Sequence, residues 1–153
     1  MKIAIIGGSG LYDIDNPSVA EEQNIVTPWG ETSSSILKTQ SGENEIFFLS
    51  RHGRGHLISP SQINYRANIY ALKFLGVDWI ISVSAVGSLK EEINPGTIVL
   101  PDQFIDFTKQ RESTFFDEGI GPVPIKAGST PQLAHDLIET IFSISLFSAS
   151  SFD

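Results

Sequence analysis

The first apolar run of the chain, Lys2-Ile3-Ala4-Ile5-Ile6, is short, rich in β-branched residues and stopped by Gly7-Gly8. That pattern predicts a buried strand ending in a sharp turn at Gly7-Gly8-Ser9-Gly10. Asp13 to Ser18 carries loop chemistry. Ser35 to Thr39 and Glu45 to Ser50 read as two further strands, joined by a hairpin turn through Gln40-Ser41-Gly42-Glu43-Asn44. Arg51-His52-Gly53-Arg54-Gly55-His56 is too glycine-rich for a helix interior. Ser59 and Pro60 then read as an N-cap and first helical residue. Ile63, Ala67, Tyr70, Ala71 and Phe74 follow on one face, and Gly76 suits a left-handed cap. Trp79 to Val83 predicts another buried strand, running into Ser84-Ala85-Val86-Gly87-Ser88.

Asn94-Pro95-Gly96 predicts a turn into a strand over Thr97 to Leu100, with an extended piece from Gln103 to Phe107. Gly119 to Gly128, with its prolines and glycines, reads as loop. Thr130-Pro131 reads as a second helix start, with Leu133, Leu137, Ile138 and Ile141 as its apolar stripe. From Ser143 five serines interleave with apolar residues, and neither helix nor turn grammar applies. The expected organisation is therefore one domain over 1–142 and an irregular serine-rich tail over 143–153, with no internal repeat.

The strand–helix–strand from Glu45 to Val83 has the form of a βαβ crossover, which predicts an α/β fold with a parallel component. In such sheets ligands bind beyond the carboxyl ends of the strands. Three loops leave predicted strands at such ends: Gly7–Gly10, Arg51–His56 and Ser84–Ser88. If those strands run parallel, all three open on one side.

Composition narrows the chemistry. The 153 residues are 41% hydrophobic and 18% charged, which fits a folded domain with a core. Ten Lys and Arg against 18 Asp and Glu give a net charge of −8, which argues against nucleic acid or anionic lipid as partner. The absence of Cys excludes disulfides, a thiol nucleophile and Cys-ligated metals. No apolar run approaches the roughly 18 residues of a membrane helix. A soluble cytoplasmic location is the expectation.

Gly7-Gly8-Ser9-Gly10 offers backbone N–H groups and one hydroxyl, a nest that suits an anion or simply a tight turn. Asp13 stands where a dinucleotide fingerprint needs its third glycine, and no P-loop Lys follows. Arg51 can grip phosphate or carboxylate through two parallel hydrogen bonds, or serve as a surface ion pair. His52 and His56 have the i, i+4 spacing of a helical metal pair, but Gly53 and Gly55 disfavour that helix, so no metal is expected. A hydrogen-bonding role near the anion suits His52 better, and His56 reads equally as structural. Ser84 supplies a hydroxyl and Ala85 an amide, or both merely pack. Ser84 lacks the elbow of a hydrolase nucleophile. Together the loops predict a pocket for a small tetrahedral anion, with orthophosphate the natural candidate.

Gly7–Leu11, Arg51–His56, Pro60–Leu72 and Ser84–Leu89 stand in the order seen in methylthioadenosine phosphorylases, the trimeric branch of the purine nucleoside phosphorylase family. Pro95-Gly96-Thr97 and Asp102–Asp106 also resemble that family. The resemblance covers residues 2 to about 118 and implies a mixed sheet flanked by helices, truncated after about half the family domain. It implies phosphorolysis of 5′-methylthioadenosine to adenine and 5-methylthioribose 1-phosphate in purine and methionine salvage, by a homotrimer without cofactor or metal. By similarity Ser9, Arg51, His52, Ser84 and Ala85 would hold phosphate. The family's leaving-group acid has no counterpart here, so no catalytic residue is assigned. General acid catalysis is worth about 10²–10⁴-fold, and impaired turnover is expected. The alternative is a non-catalytic or subunit-docking chain that keeps only the phosphate half-site.

Overall fold

A computed structural model describes residues 1–8, 20–101, 103, 105, 107–109, 111–112 and 115. These residues fall into two compact units. The first comprises 1–84 with Arg111, Glu112 and Phe115; the second comprises the described residues of 85–109.

The first unit is built on a five-stranded sheet. Its strands are β1 (Lys2–Gly7), β2 (Glu21–Gln23), β3 (Ile36–Ser41), β4 (Asn44–Ser50) and β5 (Trp79–Ser82), and one helix, α1 (Tyr65–Phe74), joins β4 to β5. The order across the sheet is β2-β3-β4-β1-β5. β1 pairs parallel with both β4 and β5, whereas β2–β3 and β3–β4 are antiparallel, so the sheet is mixed. The crossover through α1 therefore steps over β1 instead of joining neighbours. The β3–β4 hairpin is tighter than its five-residue polar link suggested. Pairing runs to Ser41↔Asn44, which leaves a two-residue turn whose first position, Gly42, has φ +57°.

Side chains alternate across β1. Ala4 and Ile6 join Ile36, Phe47 and Leu49 in a core closed by Ala71 and Leu72 of α1. Ile3 and Ile5 point the other way and pack with Ile46, Phe48 and Ile81. A strand buried on both faces has to be apolar at every position, which is why β1 shows a continuous run.

The helix differs from its expected frame. It begins at Tyr65 rather than after Ser59, and Pro60 is not its first residue. The Asn64 side chain accepts the Ala67 N–H at 3.1 Å and satisfies one of the helix's orphan donors. Its Nδ2 donates to the Trp29 and Glu31 carbonyls. The Ser59 hydroxyl is instead engaged with the side chains of Ser61 and Gln62, inside a turn closed by Gln62 N–H to Ser59 O. The buried stripe is rotated accordingly: Ala67, Asn68, Ala71 and Leu72 face inward, whereas Phe74 is 68% exposed. The C-terminus behaves as expected. Gly76 takes φ +74°, its N–H reaches Lys73 O, and Val77 N–H reaches Leu72 O, the two bonds of a Schellman motif.

At the end of the sheet where β1 begins, Lys2 Nζ donates to Leu75 O at the helix C-terminus. Glu45 lies opposite Lys2 in register and bridges it at 3.5 Å while also pairing with Lys38. The Lys38 hydrogen bond, followed by the nearby positive charges, holds the Glu45 carboxyl below its ordinary range, and the same bond raises Lys38.

In the second unit the Asn94–Thr97 turn forms, with Thr97 N–H on Asn94 O and Gly96 at φ +87°. The strand expected over Thr97 to Leu100 does not. Its apolar side chains find no sheet partner among the described residues, and Ile98 is 64% exposed. The described positions 103, 105 and 107 are likewise outside any strand. The loop from Asp13, the loop over Gly119–Gly128, the helix from Thr130 and the tail from Ser143 lie outside the described residues. β2 was not anticipated, because Glu21-Glu22-Gln23 has no apolar alternation.

Replacing Asn64 by Ala should cost about 1–2 kcal/mol, as for a lost N-cap, while Ser59→Ala should stay within about 0.5 kcal/mol. Urea unfolding midpoints of the two variants check this, and equal losses would restore Ser59 as the cap. A lowered carboxyl contributes stability that is present above the ordinary carboxylate range and lost as pH falls through it. Glu45→Gln should therefore lose stability relative to the parent at about pH 7 but not at about pH 3. Unfolding midpoints at the two pH values would expose the difference.

Candidate functional site

The parallel pairing fixes where the loops emerge. Gly7 is in register with Ser50, and Ile6 with Ser82, so β1, β4 and β5 all end on one edge of the sheet. Pairing continues one residue further on each side: Arg51 N–H donates to Gly7 O at 3.1 Å, and Val83 N–H to Ile6 O at 2.9 Å. Gly8, Arg51 and Ser84 are thereby brought together, as the sequence predicted for strands of common direction.

Arg51 continues the alternation of Phe47 and Leu49 and projects on the α1 side. Its Nη1 donates to the Ser84 hydroxyl at 2.6 Å and to Val83 O at 3.1 Å. Nη2 lies alongside Gly8, where an added Cβ would stand 3.6 Å from it. Nε donates to His52 Nε2 at 3.1 Å. None of these partners is a carboxylate, and among the described residues Arg51 has no acidic partner. Among the described residues no carboxylate balances this half-buried guanidinium.

His52 is buried, and its protonation follows from its two neighbours. Ile58 O, 2.9 Å from Nδ1, can only accept, so Nδ1 carries the proton. Arg51 Nε–H can only donate, so Nε2 is bare. His52 is thus the neutral Nδ1–H tautomer, and its free lone pair orients Arg51 rather than offering a donor to a ligand. Ile58 N–H returns to His52 O at 2.9 Å, closing the loop between them. Gly53 within it takes φ +72°, and a Cβ there would meet Ser33 O at 3.2 Å. His56 holds φ +60°, and its ring centroid is 4.3 Å from that of His52. The two histidines are therefore stacked in a loop rather than set on a helix face. Among the described residues no group of three metal-ligating side chains forms.

A cleft of about 400 Å³ opens beside this cluster. Arg51, His52, Ser82, Ser84 and Asn68 give it polar groups, and Ile6, Ile63, Ile69 and Ile80 give it apolar walls. Its size suits a small organic molecule together with an anion. Ser84 Oγ accepts from Arg51, so its own proton is free to donate. Ser9 lies outside the described residues. Ala85 is exposed and belongs to the second unit. Ser82 and Asn68 were missed in the sequence. Ser82 was legible as the middle member of Ile80, Ser82 and Ser84, alternate residues on one strand face. Asn68 was legible as the polar residue four positions after Asn64 on a face otherwise made of Ala and Leu.

Residues 2–150 match the family model described as the phosphorylase superfamily. The S-methyl-5′-thioadenosine phosphorylase of Hyperthermus butylicus is 63% identical over 118 residues, covering 77% of this chain and 43% of that protein. That of Saccharolobus solfataricus is 57% identical over 122 residues, with 80% and 44% covered. Among solved structures, a methylthioadenosine phosphorylase from an antarctic soil metagenomic library superposes with TM-score 0.71 at 55% identity, over 76% of this chain and 41% of that one. The methylthioadenosine phosphorylase of Schistosoma mansoni in complex with tubercidin gives 0.72 at 43% identity, over 78% and 42%. The chain spans less than half the length of these relatives. The fold and motifs agree at every one of these levels, and the chain belongs to the phosphorylase superfamily.

Proposed function

We propose that the chain supplies the orthophosphate-binding half of a phosphorylase acting on a purine nucleoside, with 5′-methylthioadenosine as substrate. The observation that carries this reading is the Arg51 guanidinium. It is half-buried beside the cleft and has no carboxylate among the described residues, and its Nη1 is set on Ser84 at 2.6 Å. A half-buried cation with no carboxylate among the described residues carries a local cost that a bound anion relieves.

In this reading Ser9, Arg51, His52, Ser84 and Ala85 form the phosphate set. Arg51 Nη2 and the Ser84 hydroxyl proton donate to phosphate oxygens, His52 holds Arg51 in place, and Ser9 and the Ala85 amide add donors from the neighbouring loops. A phosphate oxygen attacks C1′ while the bond from C1′ to the purine nitrogen breaks. The electron pair leaves with the base, which takes up the proton that hydrogen phosphate gives up, and the products are the free purine and the pentose 1-phosphate. Positive charge develops on the ribose ring at the transition state, so a fixed phosphate dianion acts as both nucleophile and counter-charge. Donors already in place stabilise it without reorganising. Homotrimeric assembly, a cytoplasmic location and a place in purine and methionine salvage belong to the same reading. Among the described residues no helix is long and apolar enough to cross a membrane.

A second reading, which rests on the same Arg51–Ser84 cluster, is that the chain binds phosphate without turnover. Calorimetric titration of the purified chain with orthophosphate, paired with adenine release from 5′-methylthioadenosine, separates the two. Saturable phosphate binding is expected, weakened roughly 10- to 100-fold in Arg51→Ala, as for loss of a charge-assisted hydrogen-bonding group. Phosphate-dependent adenine release supports the enzyme, and binding without release supports the half-site. Phosphate affinity unchanged in Arg51→Ala would overturn both.

A further inference from the structure

We infer that Asn68 is a positioning residue for the anion site, acting on Arg51 through Ser33 and Ser34; the inference rests on the phosphate reading for its consequence, but its geometry does not. Asn68 is 2% exposed and sits on the buried stripe of α1 between Ala67 and Ala71, both 0% exposed. An amide in such a stripe costs desolvation unless both its ends are satisfied. Both are. Oδ1 accepts the Ser33 N–H at 2.8 Å, and Nδ2 donates to the Ser33 hydroxyl at 2.9 Å. The reverse orientation would set an NH2 against the Ser33 N–H, so the amide has one orientation.

Ser33 and Ser34 then straddle the Arg51-His52 pair. On the near side, the Ser34 hydroxyl accepts the Ser50 N–H at 3.1 Å. β3 has already stopped at Ile36↔Leu49, so this hydroxyl replaces the missing strand partner of Ser50. The next amide, that of Arg51, turns the other way to Gly7 O. The backbone entering Arg51 is thus fixed from both flanks. On the far side, Ser33 O abuts Gly53, where even a Cβ would approach to 3.2 Å. A change at Asn68 therefore reaches the guanidinium by two routes, one before Arg51 and one after His52.

Asn68→Leu keeps the volume and deletes the brace. Ser34→Ala deletes one hydroxyl of a half-buried side chain, so it serves if Asn68→Leu does not fold. Ser34→Thr keeps the hydroxyl. The first measurement is the Arg51 Nε–Hε NMR signal, which reports the bond to His52 without any ligand. It is expected to collapse toward that of free arginine in Asn68→Leu and Ser34→Ala and to be restored in Ser34→Thr. The second is orthophosphate affinity by calorimetry well below the unfolding midpoint, expected to weaken roughly tenfold in the same two variants, about one net hydrogen bond, and to recover in Ser34→Thr. A merely structural Asn68 lowers the unfolding midpoint but leaves the Arg51 signal and the affinity unmoved, and that result would overturn the inference. Absence of phosphate binding in the parent chain would overturn the proposed function instead, and the Arg51 signal alone would then decide the brace.

Discussion

Two hydrogen bonds at the end of β1 govern everything above it: Arg51 N–H to Gly7 O and Val83 N–H to Ile6 O. They extend a parallel ladder one residue past its last side-chain layer, on both flanks of one central strand. Because β1 is parallel to β4 and β5, the chain leaves all three strands at the same edge. Because the register is Gly7↔Ser50 and Ile6↔Ser82, the first residues past each strand lie level with one another. A slip of one residue in either pairing would turn Arg51 or Ser84 to the opposite face and dissolve the cluster.

The charge arrangement at the two ends of that sheet differs in kind. At the starting end Glu45 sits between Lys2 and Lys38, and each charge finds its opposite. At the finishing end the partners of Arg51 among the described residues are neutral acceptors: a carbonyl, a hydroxyl and a bare imidazole nitrogen. Those acceptors orient the guanidinium without neutralising it. The first arrangement stabilises the fold and leaves nothing over for a ligand. The second leaves a positive charge and outward-facing donors beside a cleft with apolar walls.

Strands β1, β4 and β5, their common direction and the Arg51–Ser84 meeting were legible because each has a local cause: apolar runs, glycine stops and a helical crossover of the kind that joins parallel strands. The helix start was not, because two signals competed. Ser59-Pro60 carries good cap chemistry, but the Asn64 amide also bonds Trp29 O and Glu31 O, contacts with a distant segment that no local pattern shows. Asn68 was legible as a polar break in an apolar stripe, but its role was not, because Ser33 comes beside it only through long-range packing. Thr97 to Leu100 has strand composition, yet composition does not supply a partner, and the segment stays irregular among the described residues. The sense of bonding at His52, which lies beside Arg51, was not legible either. The loop closure through Ile58, which fixes its proton on Nδ1, cannot be read from the spacing of two histidines.

That sense of bonding changes what the site asks of its ligand. A guanidinium has five donors, and here Nε and Nη1 are directed to His52, Val83 and Ser84. Nη2 is the part turned to Gly8 at the end of β1, where an added Cβ would stand 3.6 Å from it, an ordinary contact. An anion arriving at Nη2 meets the Ser84 proton as well, since Ser84 Oγ is already held as an acceptor by Nη1. Orientation and recognition are thereby divided between the two halves of one side chain. One half is spent on the neutral acceptors that fix the plane of the group, and in the proposed phosphate reading the other meets the anion. In that same reading the donors need not swing into place when charge develops in the cleft, and the low cost of that reorganisation is the physical basis for proposing a nucleophilic anion over a merely structural one.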